Sequence, residues 1–295
     1  MMSTRYSFVI LHYNATDDTI ECVDSVRKYM AGKDYHIVLV DNASPNGSGP
    51  LLREKYGSDN DITLILSDKN LGFSGGNNIG FAYAKQHLSP DFIVMLNNDT
   101  LLLQADFAEL IESEYAESHF AVLGPKVESP GNYCRSNPVS LTERSLFYYI
   151  RKTVQILFNY VISFIGIEPY YQRLKGRRNG HSIAKCDGSY ETRRLEGVQL
   201  HGCFWIFSKE YIELFDGLNA KTFLYGEEPL LHRRLIVNNL KSVYNPAIRI
   251  YHKEDASTKT IHRNARKKQL FVDKLALKAN WAIICNRFTE HRLKP

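Results

Sequence analysis

Closely spaced cysteine pairs are absent from this sequence. Its five cysteines, Cys22, Cys134, Cys186, Cys203 and Cys285, lie scattered along 295 residues, and none belongs to a CxxC pair. A disulfide framework shows paired spacings, so this pattern excludes that class of protein. It predicts reduced thiols in a cytoplasmic protein.

A leader segment and a long hydrophobic run are also missing. The N-terminal stretch MMSTRYSFVILHYN has no basic and then apolar region and leads into a predicted strand at Phe8–Leu11. The longest uncharged stretch, Thr153–Ile167, has 15 residues and includes Gln155 and Asn159. A membrane-spanning helix needs about 20 apolar residues. We therefore predict no signal peptide and no transmembrane segment.

Acidic residues are scarce at the end of the chain. From Arg249 onward there are 12 Lys or Arg and 4 Asp or Glu, a net charge of +8, whereas the whole chain carries +5. The basic surplus therefore belongs to the C-terminal tail. Nucleic acid or anionic lipid headgroups would suit such a tail. No nucleic-acid recognition motif accompanies it, and we predict no nucleic-acid partner.

The first hundred residues contain strands and helices in alternation. The 44 % hydrophobic content excludes general disorder, and the length suits one large α/β domain or two small ones. Continuous apolar strands between helices predict a mainly parallel sheet. The predicted strands are Ser7–His12, His36–Val40, Ile62–Ser67 and Phe92–Leu96, and the predicted helices are Thr16–Tyr29, Pro50–Tyr56 and Asn77–Gln86.

Polar clusters follow the predicted strands. The clusters are His12 to Asn14, Asp41-Asn42, Asn70 to Asn78, and Asn97 to Asp99. Right-handed crossovers bring the carboxyl ends of parallel strands to one edge of the sheet, where ligands bind. The sequence therefore predicts one site at this edge.

The segment GFSGGNNIG has two interpretations. Glycines allow close backbone approach to a ligand, and a helix N-terminus attracts phosphate. Asn77 and Asn78 would cap the helix that follows. The alternative is a plain capped turn. The segment matches neither GxGxxG nor a Walker loop, which argues against dinucleotide and ATP binding.

Isolated acids at strand and helix ends are candidates for chemistry. Asp99 follows an apolar strand, where it would bind a divalent cation together with phosphate oxygens or cap the next helix. Asp41 would cap a turn or contact a base. Glu227 and Glu228 are adjacent acids after aromatic residues, and one of them would act as a general base unless both are ordinary helix-start acids.

Three histidines stand near these elements. His252 follows the strand AIRIY and is either a metal ligand or structural. His201 precedes Gly202 at a strand start, where glycine allows close approach. His232 lies among arginines, and we expect it on a solvated helix face.

The second half of the chain departs from the alternation. Residues 129–190 are rich in Tyr and Phe and end in a predicted mobile loop at Arg173–Gly188, after which residues 199–257 return to strand-helix-strand order. Asn264–Phe288 is a predicted helix whose Leu270, Leu277 and Ile284 are seven residues apart, beside Trp281. This helix would lie at a membrane interface, or pack on the core or on another subunit.

Five ordered motifs resemble one family. They are DNASPNGS, NLGFSGGNNIG, LNNDT, FDGLNAKTFLYGEEPLLHRRL and IYHKEDAS. Together they are similar to a family 2 inverting glycosyltransferase of the GT-A fold, especially the rhamnosyltransferase-like branch of bacterial surface polysaccharide synthesis. The resemblance covers residues 6–258, divided into a nucleotide-sugar half (1–128), the insert (129–190) and an acceptor half (191–258), followed by the basic tail (259–295).

The resemblance implies a role for each motif. It implies a nucleotide-sugar donor such as dTDP-rhamnose or a UDP-sugar, Mg²⁺ or Mn²⁺, and a saccharide or lipid-linked saccharide acceptor at the cytoplasmic face of the inner membrane. Asp99 and His252 would bind the metal, and Glu228, paired with Glu227, would be the base. The implied donor-binding residues are His12, Asn14, Asp41, Asn42, Gly75, Gly76, Asn77, Asn97, Asn98 and Gly202.

Three positions depart from the family pattern. Asn97 replaces the first acid of a DxD motif, Glu228 stands where Asp is usual, and Leu230 replaces a frequent Asp. A catalytically silent sugar-binding or scaffold protein is therefore an alternative. A sugar nucleotidyltransferase is a weaker one, because it would have a glycine-rich basic loop after the first strand, where this chain has HYNATDD.

Overall fold

The computed structural model describes residues 4–130, 137–167, 192–253 and 265–291. The predicted loop at 173–188 lies outside these residues. The strands are β1 Arg5–His12, β2 Asp34–Asp41, β3 Ile62–Leu66, β4 Phe92–Asn97, β5 Thr100–Leu102, β6 Val122–Glu128, β7 Leu195–Glu196, β8 Phe204–Ser208 and β9 Ser242–His252. The helices are α1 Thr16–Tyr29, α2 Ser48–Tyr56, α3 Gly72–His87, α4 Phe107–Ser118, α5 Leu146–Ile165, α6 Lys209–Ile212, α7 Glu227–Val237 and α8 Ala265–Thr289.

All nine of these strands belong to one sheet. Its order is β3-β2-β1-β4-β8-β6-β9-β5, with β7 paired to β9. The first four strands are mutually parallel, which confirms the predicted α/β class. Strand β8 runs antiparallel to β4 and β6, whereas β9 runs parallel to β6. The start of β8 and the end of β9 therefore reach the same edge as the carboxyl ends of β1, β2 and β4.

Two hydrophobic layers lie on opposite faces of the sheet. Along β1, Tyr6, Phe8 and Ile10 belong to the layer covered by α1 and α4, while Val9 belongs to the layer covered by α3 and α7. All four side chains are fully buried. Alternate residues of a strand point to opposite faces, so a strand that is buried on both sides is apolar throughout. This is why the strands were visible as unbroken apolar runs.

Helix α3 begins five residues before the predicted start. Leu71 N–H donates to Asn42 Oδ1 and Gly72 N–H donates to Asn70 Oδ1, both at 2.9 Å. Gly72 has φ of +73°, and a Cβ at this position would lie 2.0 Å from the Phe223 carbonyl oxygen. The glycine-rich segment, residues 72–80, thus forms roughly the first two and a half turns of a helix, capped by residues that precede it.

Helices α5 and α8 form an antiparallel pair. Arg266, at the start of α8, donates to the carbonyl oxygens of Ser163 and Phe164 at the end of α5. Arg287, at the other end of α8, forms an ion pair with Glu143, just before α5, with an N–O distance of 3.0 Å. None of the helices that the structure describes is long and apolar enough to cross a membrane.

Candidate functional site

Asp99 and His252 are brought together by strand pairing. The chain turns at Asn98 and Asp99 and enters β5, which pairs antiparallel with the end of β9, so Thr100 lies opposite His252. Asp99 Oδ1 is 3.2 Å from His252 Nε2, and both side chains are about nine-tenths buried. Among the residues that the structure describes, Nδ1 of His252 is buried and has no hydrogen-bond partner. One carboxylate and one imidazole therefore meet in a position sheltered from solvent.

This pair is compatible with a metal ion that is coordinated partly by the protein and partly by phosphate oxygens. Within the described ranges, no group of three or more His, Cys, Asp or Glu side chains could hold a metal ion. Mg²⁺ is usually bound by one or two carboxylates together with substrate phosphates and water. Carboxylate oxygens such as those of Asp99 suit both Mg²⁺ and Mn²⁺. The chain thus offers part of a coordination sphere.

A short loop before β8 connects this pair to Glu228. The rings of His201 and His252 have centroids 6.0 Å apart. His201 Nδ1 accepts from the Cys203 N–H at 3.1 Å, which orients the ring. A Cβ placed on Gly202 would be 3.1 Å from Glu228 Oε1. Glycine at 202 therefore leaves the space that the Glu228 carboxylate occupies, close to His201 and His252.

The two adjacent acids occupy different environments. They begin α7 directly after Tyr225 and Gly226, which both have positive φ. Successive residues of a helix point about 100° apart. Glu227 is only 7 % exposed, and its buried Oε1 has no hydrogen-bond partner within the described part of the chain, while Glu228 is half-buried against Gly202. Burial, and then the charge of Glu228, raise the pKa of Glu227 to about 7.

The raised pKa predicts a pH-dependent stability. Between its ordinary pKa of 4.5 and about 7, Glu227 is protonated in the folded chain and ionised in the unfolded chain. The protonated Glu227 therefore contributes to the free energy of unfolding, and this contribution is fully present below pH 4.5. It amounts to about 3 kcal/mol and is lost as pH rises through 7. The Glu227→Gln variant should therefore gain stability relative to wild type as pH rises. Urea unfolding between pH 5 and pH 8 measures the difference.

Exposed Glu213 provides the control for this effect. The Glu213→Gln variant should follow the pH profile of the wild type. A constant difference between Glu227→Gln and wild type across this range would show that the Glu227 pKa is not raised.

His12 and Asp41 join the loops that follow β1 and β2. His12 is fully buried, with Nδ1 2.7 Å from Thr19 Oγ1 and Nε2 2.7 Å from Ser48 Oγ. Burial lowers its pKa. Asp41 accepts from Ser44 Oγ at 2.5 Å and lies 3.9 Å from His12 Nε2. Both ring nitrogens of His12 face neighbouring hydroxyls, and a contact of His12 with the donor stays a prediction.

Asn14 lies nearer the surface of the same loop. It is half-buried and has φ of +64°. Its N–H is 3.0 Å from Ser44 Oγ, and its carbonyl accepts from Asn46 Nδ2 at 2.8 Å. Loops after β1 and β2 are thus joined at Asn14 as well as at His12.

The predicted phosphate loop is wrong in its local structure. Gly75, Gly76 and Asn77 lie inside α3, and a Cβ at Gly76 would approach Leu11 to 2.6 Å. Asn42 is 3 % exposed and donates to Asn70 and to the Gly72 carbonyl. These residues pack the helix start against β1.

The predicted caps of α3 are wrong for the same reason. Asn77 Nδ2 donates back to the Phe73 carbonyl. Asn78 exchanges two hydrogen bonds with the main chain of Leu218. It therefore anchors a distant turn.

Asn97 and Asn98 stand at the end of β4. Asn98 Nδ2 donates to Thr19 Oγ1 at 2.9 Å, which ties this turn to α1. Asn97 is half-buried, and its N–H donates to the Cys203 carbonyl at 2.9 Å. Asn97 thus lies between the turn at Asn98 and Asp99 and the loop that contains Gly202.

Other residues of the site were missed or misjudged. His232 is 3 % exposed, so its predicted solvated position is wrong, and burial lowers its pKa. Asn137 Oδ1 accepts from the His201 N–H. The Lys253 N–H donates to the Asp99 carbonyl, and its ammonium pairs with Asp18. No sequence pattern marks Asn137 or Lys253, because both partners are more than 60 residues away.

A cavity at the opposite edge of the sheet is not a candidate. It lies at the amino ends of β1 and β4, and its lining includes Arg5, Asp34, Asp91 and Lys209. These charges are paired with one another, Arg5 with Asp34 at 3.1 Å and Lys209 with Asp91 at 2.5 Å. Glu227, whose pKa is raised, and His252, whose Nδ1 is buried, both lie at the other edge.

Comparison with known families identifies the family of this chain. Residues 7–213 match the model of the family described as glycosyl transferase family 2. The chain belongs to this family. The low-salt glycan biosynthesis hexosyltransferase Agl10 of Haloferax volcanii is 28 % identical over 223 residues, which are 75 % of this chain and 58 % of Agl10. The chain thus spans little more than half the length of this relative.

Solved structures show the same architecture. The mannosyltransferase PcManGT of Pyrobaculum calidifontis, in complex with GDP-Man and Mn²⁺, has a TM-score of 0.52 and 13 % identity. That match covers 99 % of this chain and 77 % of PcManGT. TarS of S. aureus in complex with UDP has a TM-score of 0.52 and 14 % identity, over 92 % of this chain and 65 % of TarS. These similarities confirm the GT-A fold.

Proposed function

We propose that this family 2 protein is an inverting glycosyltransferase. It moves a sugar from a nucleotide-diphosphate donor, dTDP-rhamnose or a UDP-sugar, to a hydroxyl of a saccharide or lipid-linked saccharide in bacterial polysaccharide synthesis. The observation that carries the proposal is that one loop lies beside both the Asp99–His252 pair and the Glu228 carboxylate. Asp99 contacts His252, and the His201-Gly202 loop joins that pair to Glu228.

The donor residues divide into contacting and supporting sets. Asp41, Asn14 and Asn97 lie along the edge of the sheet where the base, ribose and diphosphate would extend. His12, Asn42 and Asn98 hold the loops of that edge in place through buried hydrogen bonds. Gly75, Gly76 and Asn77 shape its floor through helix packing. The proposal therefore keeps the predicted site but gives its parts unequal roles.

Asp99 and His252 would hold Mg²⁺ or Mn²⁺. When bound, the ion neutralises negative charge that develops on the leaving diphosphate. Asp99 supplies the negative charge of this pair. Asn97, which replaces the other acid of the motif, supplies none. His252 is fixed by its place on β9, opposite Thr100.

Glu228 is the proposed general base. Its carboxylate takes the proton from an acceptor hydroxyl as that oxygen bonds to the anomeric carbon. On the opposite face, the bond from the anomeric carbon to the diphosphate oxygen breaks, and the diphosphate leaves with the electron pair. A single displacement of this kind inverts configuration. Glu227 is less suited to the role, because its side chain is buried, whereas that of Glu228 is half-buried against Gly202.

Donor binding provides the first test. UDP-, dTDP- and GDP-sugars are each added with Mn²⁺, and the melting temperature and sugar release are measured. One nucleotide class should raise the melting temperature, since a ligand at 100 times its Kd stabilises by about 2.7 kcal/mol. EDTA should reverse the effect. Stabilisation without hydrolysis or transfer would identify a silent binding protein, and the absence of both responses would refute the proposal.

A further inference from the structure

Helix α5 exposes a continuous apolar stripe. Its buried residues include Tyr149 and Ile156, which face the rest of the protein. A second set, at spacings of three and four residues, lies on a different face, so α5 is apolar both inside and outside. Six members of this set are between 46 % and 73 % exposed, namely Phe147, Ile150, Val154, Leu157, Val161 and Phe164.

Helix α8 buries two asparagines and exposes two aromatic residues. Asn280 and Asn286 are at most 4 % exposed, whereas Trp281 is 64 % and Phe288 is 66 % exposed. A helix on the surface of a water-soluble protein normally shows the reverse pattern. The outer side of the α5–α8 pair is therefore matched to a medium less polar than water.

The charge of the pair has one sign. Within Leu146–Ile165 and Ala265–Thr289 there are eight lysines and arginines and one acid, Asp273, which is 5 % exposed. Lys274 and Lys278 are exposed beside Trp281. Exposed aromatic and aliphatic side chains with lysines among them are typical of helices that lie in a membrane interface.

We propose that the outer side of the α5–α8 pair docks on an anionic lipid surface. The stripe of α5 and the aromatic residues of α8 enter the boundary between headgroups and acyl chains, and Lys274 and Lys278 contact lipid phosphates. A second copy of this chain would fit less well, because two such surfaces would bring like charges together. The helices lie along the membrane, since none described here could cross it.

This surface is connected to the candidate site. Tyr149 of α5, Leu230 of α7 and Ile283 of α8 form one buried cluster. A Cβ at Gly226, immediately before Glu227 and Glu228, would lie 3.1 Å from Ile283. Docking would hold the proposed base close to the membrane. The inference rests on the proposed function only in naming a lipid-linked saccharide as the acceptor that profits from this position.

Adjacent residues of α5 allow a matched test. Val154 lies on the apolar stripe, and Gln155 is exposed on the polar side of the same turn. The variants Val154→Asp and Gln155→Asp each add one carboxylate. Flotation is measured with vesicles of phosphatidylcholine alone and with vesicles that also contain phosphatidylglycerol. We expect Val154→Asp to weaken binding to the anionic vesicles about tenfold, Gln155→Asp to have little effect, and Lys274→Gln with Lys278→Gln to weaken it about tenfold or more.

The outcomes separate the alternatives. Equal flotation of Val154→Asp and Gln155→Asp would overturn the proposal. A dimer in solution that only Val154→Asp dissociates, seen by light scattering, would identify a second copy as the occupant and would also overturn it. Donor hydrolysis and transfer to a water-soluble acceptor should be the same in both variants. If the wild-type protein does not float with the anionic vesicles while it still hydrolyses or transfers the donor sugar, the docking proposal is wrong and the proposed function stands.

Discussion

Replacing Glu228 with glutamine is expected to lower kcat about 10² to 10⁴-fold, the range that general base catalysis supplies. The amide keeps the shape of the side chain over Gly202, but it cannot accept the acceptor proton. Binding of the donor should change little, since Glu228 acts on the acceptor. Transfer rates at saturating donor, together with donor-induced shifts in melting temperature, measure the two effects.

Glu227→Gln is the matched control for this prediction. It makes the same chemical change one residue away, at a side chain that is buried and whose pKa is raised to about 7 by that burial. The control should retain most of its transfer activity at pH 7. If Glu227→Gln loses activity while Glu228→Gln keeps it, the base has been assigned to the wrong acid.

The Asp99→Asn variant should lose its response to metal. The substitution preserves the shape of the side chain and removes the carboxylate that contacts His252. Because a bound metal contributes several kcal/mol of charge stabilisation, we expect activity to fall about a hundredfold or more. Titration with Mn²⁺ should show a higher concentration for half-maximal activity and a smaller metal-dependent shift in melting temperature with donor.

Glu21→Gln is a suitable control for Asp99. Glu21 is a carboxylate of α1 that pairs with Lys253, next to His252 in sequence, but it is more than half exposed. Its replacement should leave the Mn²⁺ titration unchanged. An unchanged titration in Asp99→Asn as well would show that the metal, if required, is bound elsewhere.

Patterns within short segments predicted the sheet and its functional edge. Strands β1, β2 and β4 are buried on both faces, so their apolar runs identified them without knowledge of their partners. Parallel strands with helical connections necessarily end at one edge, which placed Asp41 and Asp99 on the same side. The fold and the location of the site follow from these two rules.

Contacts between distant segments decided the details. The start of α3 depends on the Asn42 side chain, which bonds to Leu71 across 29 positions of the chain. The same holds for His12, whose second partner is Ser48, and for His201, whose N–H is held by Asn137. Propensity and spacing describe only near neighbours. They therefore placed the helix start too late.

By itself, the sequence determined the parallel sheet, the edge that carries the polar clusters, and Glu227-Glu228 and Asp99 as the notable acids. Only the tertiary structure decided that Asp99 meets His252, that Glu228 rather than Glu227 faces Gly202, and that α5 turns an apolar stripe outward. The physical reason is that periodicity reports how many faces of an element are apolar. Which of those faces is covered depends on the packing of the whole chain.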